Sequence, residues 1–371
     1  MAWRLPLRRL RYYDLLLLSA VVVLCAFSLA ALYGIATGFE TPDFGNLRKQ
    51  VLFIALGMLA LVAVSTVNTQ WLKQYAVAGY ALSALLLVAV LVFGQTRSGT
   101  TGWFTLGPIG FQPVEVAKFA LIILQARLLS ARPSGGGLPW RLLAESGGIT
   151  ALYCGLTLLQ PDFGSAMLLL VIWLGMVFFA GVTARQVLAM AAVVGVLGAG
   201  WWTLFSQEYQ HARIITFLNP AADPYGRGYQ VRQSIIAVGA GQLLGRGLGS
   251  GSQSQLKFIP ASQTDFIFAV IAEELGLLGA GVVLAAYLVL LLRLAALARR
   301  AADDFAAALV HGIAVLLFVH IVINVGMNLG LLPVTGIPLP LLSYGGSYLV
   351  ITLTLLGVAQ SVAISSVKYR A

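Results

Sequence analysis

The chain has 371 residues, of which 59% are hydrophobic and only 10% are charged. Its mean hydropathy is +0.91. A soluble protein of this length needs far more charge on its surface, so the composition excludes a soluble enzyme and predicts a membrane protein. Because long apolar stretches recur from one end to the other, we expect a polytopic helical protein rather than a soluble domain with one anchor.

Apolar stretches of spanning length occur ten times along the chain. They lie at about residues 13–36, 51–67, 75–94, 112–130, 146–160, 164–181, 187–206, 266–293, 306–326 and 346–364. The first is too long for a signal-peptide core and lacks a convincing cleavage site, so we expect it to be retained as a span. The predicted fold class is therefore an all-α polytopic membrane protein. Residues 1–371 are expected to form one integral membrane domain, with a long outer loop, residues 207–264, between spans seven and eight.

An even number of spans places both termini on one side of the membrane. Basic residues collect on that side: Arg4, Arg8, Arg9, Arg11, Lys73, Arg127, Arg132, Arg141, Arg185, Arg293, Arg299, Arg300, Lys368 and Arg370. The short loops on the other side offer only Arg48, Lys49 and Arg97. The positive-inside rule therefore predicts that both termini are cytoplasmic. The net charge of +10 is explained by span ends and anionic lipid rather than by nucleic acid.

The long outer loop is too polar to span the membrane. Its central stretch, "GYQVRQSIIAVGAGQLLG" (residues 228–245), has apolar residues at helical spacing, which predicts an amphipathic helix at the membrane surface. The overlapping "GRGLGSGS" resembles a phosphate-binding glycine loop only superficially. It follows no strand and lacks the GK[ST] ending, so we interpret it as a flexible loop.

Charged residues occur in or beside the fourth and sixth spans. Glu115 and Lys118 are three residues apart on one helical face, where each neutralises the other. The spacing fits either an ion pair that orients helices or a role in a polar cavity. Asp162 precedes the sixth span and is predicted to be its N-cap, although an outward-facing acid also suits a binding site.

The segment "SQTDFIFAVIAEELG", residues 262–276, carries three acids at or below the entrance to the eighth span. A charge at membrane depth costs about 2.5–3.5 kcal/mol on insertion scales. Asp265 stands where an N-cap would stand, and capping alone is one explanation for it. Glu273 and Glu274 lie two to three turns deeper, and we assign them a structural role before a catalytic one.

The stretch "NVGMNLGLLPVTGIPLPLLSYGGS", residues 324–347, places Pro333, Pro338 and Pro340 at membrane depth. Unsatisfied backbone is prohibitive in lipid, so this stretch must be buried in protein or line a cavity. It predicts a re-entrant structure, and a kinked helix followed by a loop is the alternative.

The histidines and cysteines show no metal-binding pattern. His211, His311 and His320 are scattered, and Cys25 and Cys154 both lie in apolar runs. We therefore expect neither a disulfide nor a metal site built from these residues.

Four blocks together resemble the SEDS (shape, elongation, division and sporulation) family, which includes RodA, FtsW and SpoVE. They are "GWFTLGPIGFQPVEVAK", "QPDFGS", the run from "DPYGRGYQVRQ" to "AEELGLLGA", and the proline-rich stretch above. They cover nearly the whole chain in order, and "AEELGLLG" and "NVGMNLGLLP" are closer to the RodA branch.

The resemblance implies a peptidoglycan glycosyltransferase that polymerises lipid II at the outer face of the bacterial inner membrane during cell elongation. It implies a class B penicillin-binding protein as partner, because the chain itself has no transpeptidase domain. It also implies that Asp265 is the essential acid, that Glu115 and Lys118 form a buried pair, and that Trp103 is the aromatic residue of the first large outer loop. Further candidate substrate-binding residues in the same blocks are Gln112, Asp162 and Ser343.

Three positions depart from the family pattern. Members commonly have His where Gln263 stands, Arg where Gly102 stands, and a second Ser where Tyr348 stands. The first two differences weaken any role for those neighbours in tuning Asp265 or holding diphosphate.

The reaction implied is an inverting displacement, in which the acceptor's GlcNAc 4-hydroxyl attacks C1 of the donor's MurNAc and lipid diphosphate leaves. Asp265 is a candidate general base. The growing negative charge needs cations, and the outer loop offers Arg213, Arg227, Arg232, Arg246 and Lys257. A divalent cation would suit the same task, although no ligand cluster requires one. A lipid II flippase or other transporter, and a non-enzymatic scaffold of the synthesis complex, are the alternative functions.

Overall fold

The computed structural model describes residues 12–37, 42–97, 100–106, 109–132, 137–204, 215–219, 223, 226–256 and 258–368. Several residues used in the predictions above lie outside these ranges: Arg4, Arg8, Arg9, Arg11, His211, Arg213, Lys257 and Arg370.

Helices dominate the described chain. They are α1 (Leu15–Thr37), α2 (Gly45–Ser65), α3 (Thr69–Phe93), α4 (Pro113–Leu129), α5 (Trp140–Leu158), α6 (Phe163–Phe179), α7 (Ala184–Leu204), α8 (Arg227–Ala240), α9 (Ser252–Gln255), α10 (Ile267–Arg299), α11 (Asp304–Asn328) and α12 (Gly346–Lys368). At the centre, α10, α11 and α12 share the largest apolar core, with α1 packed on α10, α2 on α12, and α4 and α6 on α11.

Each of the ten predicted spans falls on one of the long helices α1–α7 and α10–α12. Seven of these are long and apolar enough to cross a membrane, by length and composition. The other three are α4, α5 and α6. Two of them, α4 and α6, have only 17 residues each, and α5 carries Arg141 and Glu145 in an exposed ion pair. All three nevertheless pack against other helices of the bundle.

A small antiparallel sheet, which the sequence analysis did not predict, lies between α3 and α4. Its strands are β1 (Gln95–Arg97), β2 (Thr100–Leu106) and β3 (Ile109–Phe111), in the order β1-β2-β3. Gln95 pairs with Trp103, and Phe104 pairs with Phe111. Threonines and aromatic residues in β2 suit a strand. The sheet gives the first outer loop a fixed shape and positions Trp103.

At the predicted cytoplasmic end, Asp14 joins three helices. Its carboxylate accepts hydrogen bonds from Leu17 N at 3.0 Å, which caps α1, and from Arg293 Nη2 at 2.6 Å on α10. Its backbone N donates to Gln360 Oε1 of α12 at 2.9 Å. A buried acid paired in this way is far less costly than an isolated one.

The outer-loop helix α8 is present, as predicted, but it does not lie only on the membrane surface. Val231, Ser234 and Ala237 form a buried face at a spacing of three residues, and α8 packs against α10 and α11. Ser234 Oγ donates to the Asn328 carbonyl at 2.8 Å. The face that carries Ile235 remains exposed. The apolar face of α8 therefore packs partly against the helices α10 and α11 of the protein itself.

The eighth span was predicted as continuous, but α10 is broken at Gly276, where φ is +66° and ψ is −166°. The outer loop pairs with α10 at this break through backbone groups. Leu277 N donates to Gln242 O at 2.8 Å, and Gly247 N donates to Glu274 O at 2.9 Å. Because only glycine adopts this conformation easily, the sequence "ELG" marks the break.

We expect Gly276→Ala to lower the melting temperature of the purified protein. A Cβ at Gly276 would collide with Gly245 N and Leu243 O, and this backbone conformation, open essentially only to glycine, costs about 1–3 kcal/mol for other residues. Gly281→Ala is the matched control in the same helix, since a Cβ there has no heavy atom within 4 Å. Equal shifts for the two variants would contradict the assigned break.

Candidate functional site

A polar cavity of about 590 Å³ lies among the predicted outer ends of the helices. Four helices begin beside it, namely α4, α6, α10 and α12, and Lys49 and Phe53 of α2, strand β2 and the segment that precedes α12 complete its wall. The charged residues that line it are Lys49, Glu115, Lys118, Asp162 and Asp265. Trp103 and Gln112 line it as well. Six of the candidate residues predicted from the sequence are thus brought together in one chamber.

The backbone around Asp265 is held from three directions. Asn324 Nδ2 and Asn328 Nδ2 donate to the Asp265 carbonyl at 2.9 and 3.0 Å. Ser343 Oγ donates to the Thr264 carbonyl at 2.6 Å. These bonds come from α11 and from the segment before α12. They fix the position of Asp265 independently of its own side chain.

Asp265 lies one residue before the N-cap position of α10, which is Phe266. The N–H of Ala269 in the first turn donates both to the Phe266 carbonyl and to Asn328 Oδ1, each at 3.1 Å. A side chain from α11 therefore takes part in bonding the first turn of α10, a contact that the sequence did not predict.

Glu115 and Lys118 form the ion pair expected from their spacing. Lys118 Nζ lies 2.8 Å from Glu115 Oε1, and their side chains are only 2% and 7% exposed. Both residues also line the cavity. Of the two hypotheses left open by the sequence, the structure is compatible with both: the residues form a buried ion pair, and that pair is part of the cavity wall.

Asp162 is the N-cap of α6, as predicted. Its carboxylate accepts hydrogen bonds from Ser165 N at 2.9 Å and from Ser165 Oγ at 2.7 Å. Gln112 Nε2 approaches the same carboxylate at 3.4 Å. Capping fixes Asp162 in the cavity wall, so its two predicted roles are compatible.

Residues 329–345, between α11 and α12, have no regular structure but contain the fully buried Leu339, Leu341 and Leu342. This is the broken, protein-buried segment predicted from the prolines. Side chains of the surrounding helices satisfy its carbonyls. Ser28 Oγ donates to Leu342 O at 2.7 Å, and Tyr287 OH donates to Pro340 O.

His320 and Tyr348 both line the cavity and contact each other, which was not predicted from the sequence. His320 Nδ1 lies 3.1 Å from the Pro338 carbonyl and 3.0 Å from Tyr348 OH. A carbonyl only accepts, so Nδ1 carries the proton and donates to Pro338. His320 is fully buried, and its Nε2 has no hydrogen-bond partner among the residues that the structure describes. Only the departure at Tyr348 signalled this pair in the sequence.

Tyr344 lines the cavity beside Gly345 and Gly346. Its backbone N donates to the Gln263 carbonyl at 2.8 Å, and Gln263 Oε1 in turn accepts from Asn46 Nδ2 at 2.6 Å. Partial burial raises the pKa of the Tyr344 phenol. The phenol therefore stays protonated at neutral pH and offers a neutral polar edge.

Other candidates do not reach the cavity. Ser343 is buried behind it, where its Oγ bonds Thr264 and Leu339, so it positions the loop instead of contacting a ligand. Arg246 lies at the turn after α8, and its Nε donates to the Ala240 carbonyl at 3.2 Å. Arg232 does not line the cavity either. Of the remaining loop cations, Arg213, Lys257 and the side chain of Arg227 lie outside the described residues.

The two deeper acids hold the outer loop. Glu273 accepts hydrogen bonds from Gln253 N at 2.9 Å and from Ser254 N at 3.1 Å, so it caps the short helix α9. Glu274 accepts from Ser254 Oγ at 3.3 Å. These contacts support the structural role assigned to both acids.

Within the described ranges, no three His, Cys, Asp or Glu side chains come together in a group that could hold a metal ion. Cys25 and Cys154 are both free thiols.

The chain as a whole is similar to a family of known proteins. Residues 8–368 match the family of cell cycle proteins that comprises FtsW, RodA and SpoVE. The peptidoglycan glycosyltransferase MrdB of Escherichia coli K12 is 36% identical over 354 residues, covering 94% of this chain and 92% of MrdB. The probable peptidoglycan glycosyltransferase FtsW of Geobacter metallireducens is 34% identical, covering 97% of both chains.

Two solved structures share the fold. The rod shape determining protein RodA of Thermus thermophilus aligns with a TM-score of 0.70 at 31% identity, covering 95% of this chain and 96% of RodA. A chain of a peptidoglycan synthase complex aligns with a TM-score of 0.81 at 32% identity, covering 95% and 98%. These similarities confirm the predicted all-α polytopic membrane fold.

We expect Glu115→Ala to destabilise the protein more than the double change Glu115→Ala, Lys118→Ala. The single change strands a buried ammonium, which costs about 3–5 kcal/mol, whereas the double change removes both charges. Thermal unfolding in detergent measures this. A double variant that is no more stable than Glu115→Ala would show that pairing is not the main role of these residues.

Proposed function

This chain belongs to the FtsW, RodA and SpoVE family, and we propose that it is a peptidoglycan glycosyltransferase that polymerises lipid II into glycan strands during cell elongation. The observation that carries the proposal is the position of Asp265. It lines a polar cavity at the predicted outer ends of the helices, and its backbone is fixed by Asn324 and Asn328. The names of MrdB and FtsW support the same activity.

In the proposed reaction, Asp265 is the general base. The acceptor's GlcNAc 4-hydroxyl forms a bond from O4 to C1 of the donor's MurNAc, and its proton passes to the Asp265 carboxylate. The bond from C1 to the phosphate oxygen breaks, and the electron pair leaves with the lipid diphosphate. The displacement inverts the configuration at C1. A positioned base typically contributes about 10²–10⁴-fold to such a step.

The other cavity residues supply binding surfaces. Trp103 offers an aromatic face to a sugar ring, while Gln112 and Asp162 offer an amide and a capped carboxylate. Glu115 and Lys118 form a charged patch of zero net charge in the same chamber. This combination of aromatic and polar groups suits a disaccharide better than a purely apolar ligand.

We expect Asp265→Asn to abolish polymerisation without unfolding the protein. Asparagine keeps the shape of the side chain, and the backbone bonds to Asp265 do not depend on the carboxylate. The rate of glycan synthesis from labelled lipid II should fall by at least about 10²-fold, while the melting temperature and lipid II binding should stay near those of the unchanged protein.

A folded Asp265→Asn protein that still polymerises within a few-fold of the unchanged protein would overturn the catalytic assignment. If the unchanged protein moves lipid II across vesicles but makes no glycan, the transporter hypothesis replaces the enzyme. A protein that does neither, but is required by an active partner, fits the scaffold hypothesis.

We extend the proposal to the setting of the enzyme: the bacterial inner membrane, both termini cytoplasmic, and a class B penicillin-binding protein as partner. The similar chain in a peptidoglycan synthase complex supports such a partner. A cysteine in place of Leu248, which is 45% exposed, should react with an impermeant maleimide in intact cells. Labelling only after lysis contradicts the proposed orientation.

The protein should also co-purify with the transpeptidase. Full activity of the protein with no such association contradicts an obligate partner.

A further inference from the structure

Lys49 is a cavity residue that the sequence analysis used only for topology. It lies near the start of α2 and lines the cavity together with Phe53, one helical turn further on. The rotation of α2 is fixed between them, because the fully buried Gln50 donates through Nε2 to Ser28 Oγ at 3.0 Å and to Ser343 O at 3.2 Å. The face that carries Lys49 is therefore held toward the cavity.

The charges in the cavity single out Lys49. The other lining cation, Lys118, is neutralised by Glu115 at 2.8 Å. Lys49 takes part in none of the ion pairs found among the described residues. Of the loop cations first considered, Arg232 and Arg246 do not line the cavity. Of the two described cations that line the cavity, Lys49 is thus the one that is not in an ion pair.

The surrounding backbone favours an anion at the same place. Helices α4, α6, α10 and α12 begin beside the cavity, and each helix N-terminus carries a partial positive charge and N–H groups without intrahelical partners. The first residues of α12, Gly346 and Ser347, line the cavity. A Cβ at Gly346 would meet the Phe53 ring, so this glycine lets α2 pack closely against the first turn of α12 and holds Lys49 near that helix start.

We propose that Lys49 binds the diphosphate of the lipid-linked donor and stabilises its negative charge as the bond to C1 breaks. The proposal rests on the proposed function, because it supplies the group that Asp265 does not. Asp265 takes a proton from the acceptor, and Lys49 receives the leaving group on the far side of the reacting carbon. Its ammonium offers three N–H donors to the phosphate oxygens.

The experiment compares Lys49→Met, Lys49→Arg and Arg48→Met in the full-length protein. Methionine keeps the length of the lysine side chain and removes its charge. Arg48 is the matched control, because it is exposed, lies one residue away and does not line the cavity. The readouts are kcat and KM for glycan synthesis, and the Kd values of undecaprenyl diphosphate and undecaprenyl phosphate by a direct binding assay.

Lys49→Met should lower kcat by at least about 10-fold and weaken undecaprenyl diphosphate by a similar factor, with a smaller effect on the monophosphate. Lys49→Arg should retain most of both properties, and Arg48→Met should stay within about twofold of the unchanged protein. An equal loss for Arg48→Met, unchanged diphosphate affinity for Lys49→Met, or equal weakening of the two lipids would each overturn the proposal.

The binding measurement separates this proposal from the proposed function. If the unchanged protein makes no glycan, the proposed function fails, yet the loss of diphosphate affinity in Lys49→Met is still measurable. The Asp265→Asn variant should lose synthesis but bind undecaprenyl diphosphate normally, whereas the Lys49→Met variant should bind it poorly. That outcome assigns the role of base to Asp265 and the role of diphosphate-binding cation to Lys49.

Discussion

The backbone of residues 329–345 imposes the constraint on which the rest of the structure depends. These residues form no helix and lie largely among membrane-spanning helices, so their buried carbonyls need donors inside the protein. Side chains from α1, α2, α10 and α11 provide the donors. Asn324 Nδ2 serves both Ile337 O, at 2.8 Å, and Asp265 O, at 2.9 Å. The same network therefore makes the buried segment tolerable and fixes the candidate base, and a change in one would disturb the other.

The break in α10 gives the outer loop a defined place relative to that base. Glu273 caps α9, and Gly276 exposes backbone groups to which the loop pairs. Both contacts lie on α10, two to three turns further along the chain than Asp265, which precedes that helix. Burying Glu273 would be costly if it were alone, but its hydrogen bonds to two backbone N–H groups offset that cost. The acids that seemed hardest to explain in the sequence therefore attach the loop to the helix that Asp265 precedes.

Local patterns in the sequence predicted the spans, the buried segment, the Glu115–Lys118 pair and the Asp162 cap, because each depends on neighbours within a few residues or on the exclusion of water. What the sequence could not predict depends on contacts between distant residues. Asn328 of α11 accepts a hydrogen bond from the first turn of α10, and His320 of α11 contacts Tyr348 of α12. The same holds for the cations: of the described loop candidates, Arg232 and Arg246 do not line the cavity, whereas the packing of α2 places Lys49 in it.

The electrostatics of the cavity suit a reaction that moves a negative charge rather than creating one. Before the proposed step the charge resides on the Asp265 carboxylate, and after it the charge resides on the diphosphate, while the proton has passed to Asp265. Helix N-termini around the chamber favour an anion at either position, so they alone would not lower the barrier much. A cation placed nearer the leaving group than the base favours the product side of this transfer, because only interactions that strengthen toward the transition state accelerate the step. Lys49 of α2 and Asp265 before α10 both line the cavity, and under the proposal the cation acts on the leaving group while the base acts on the acceptor.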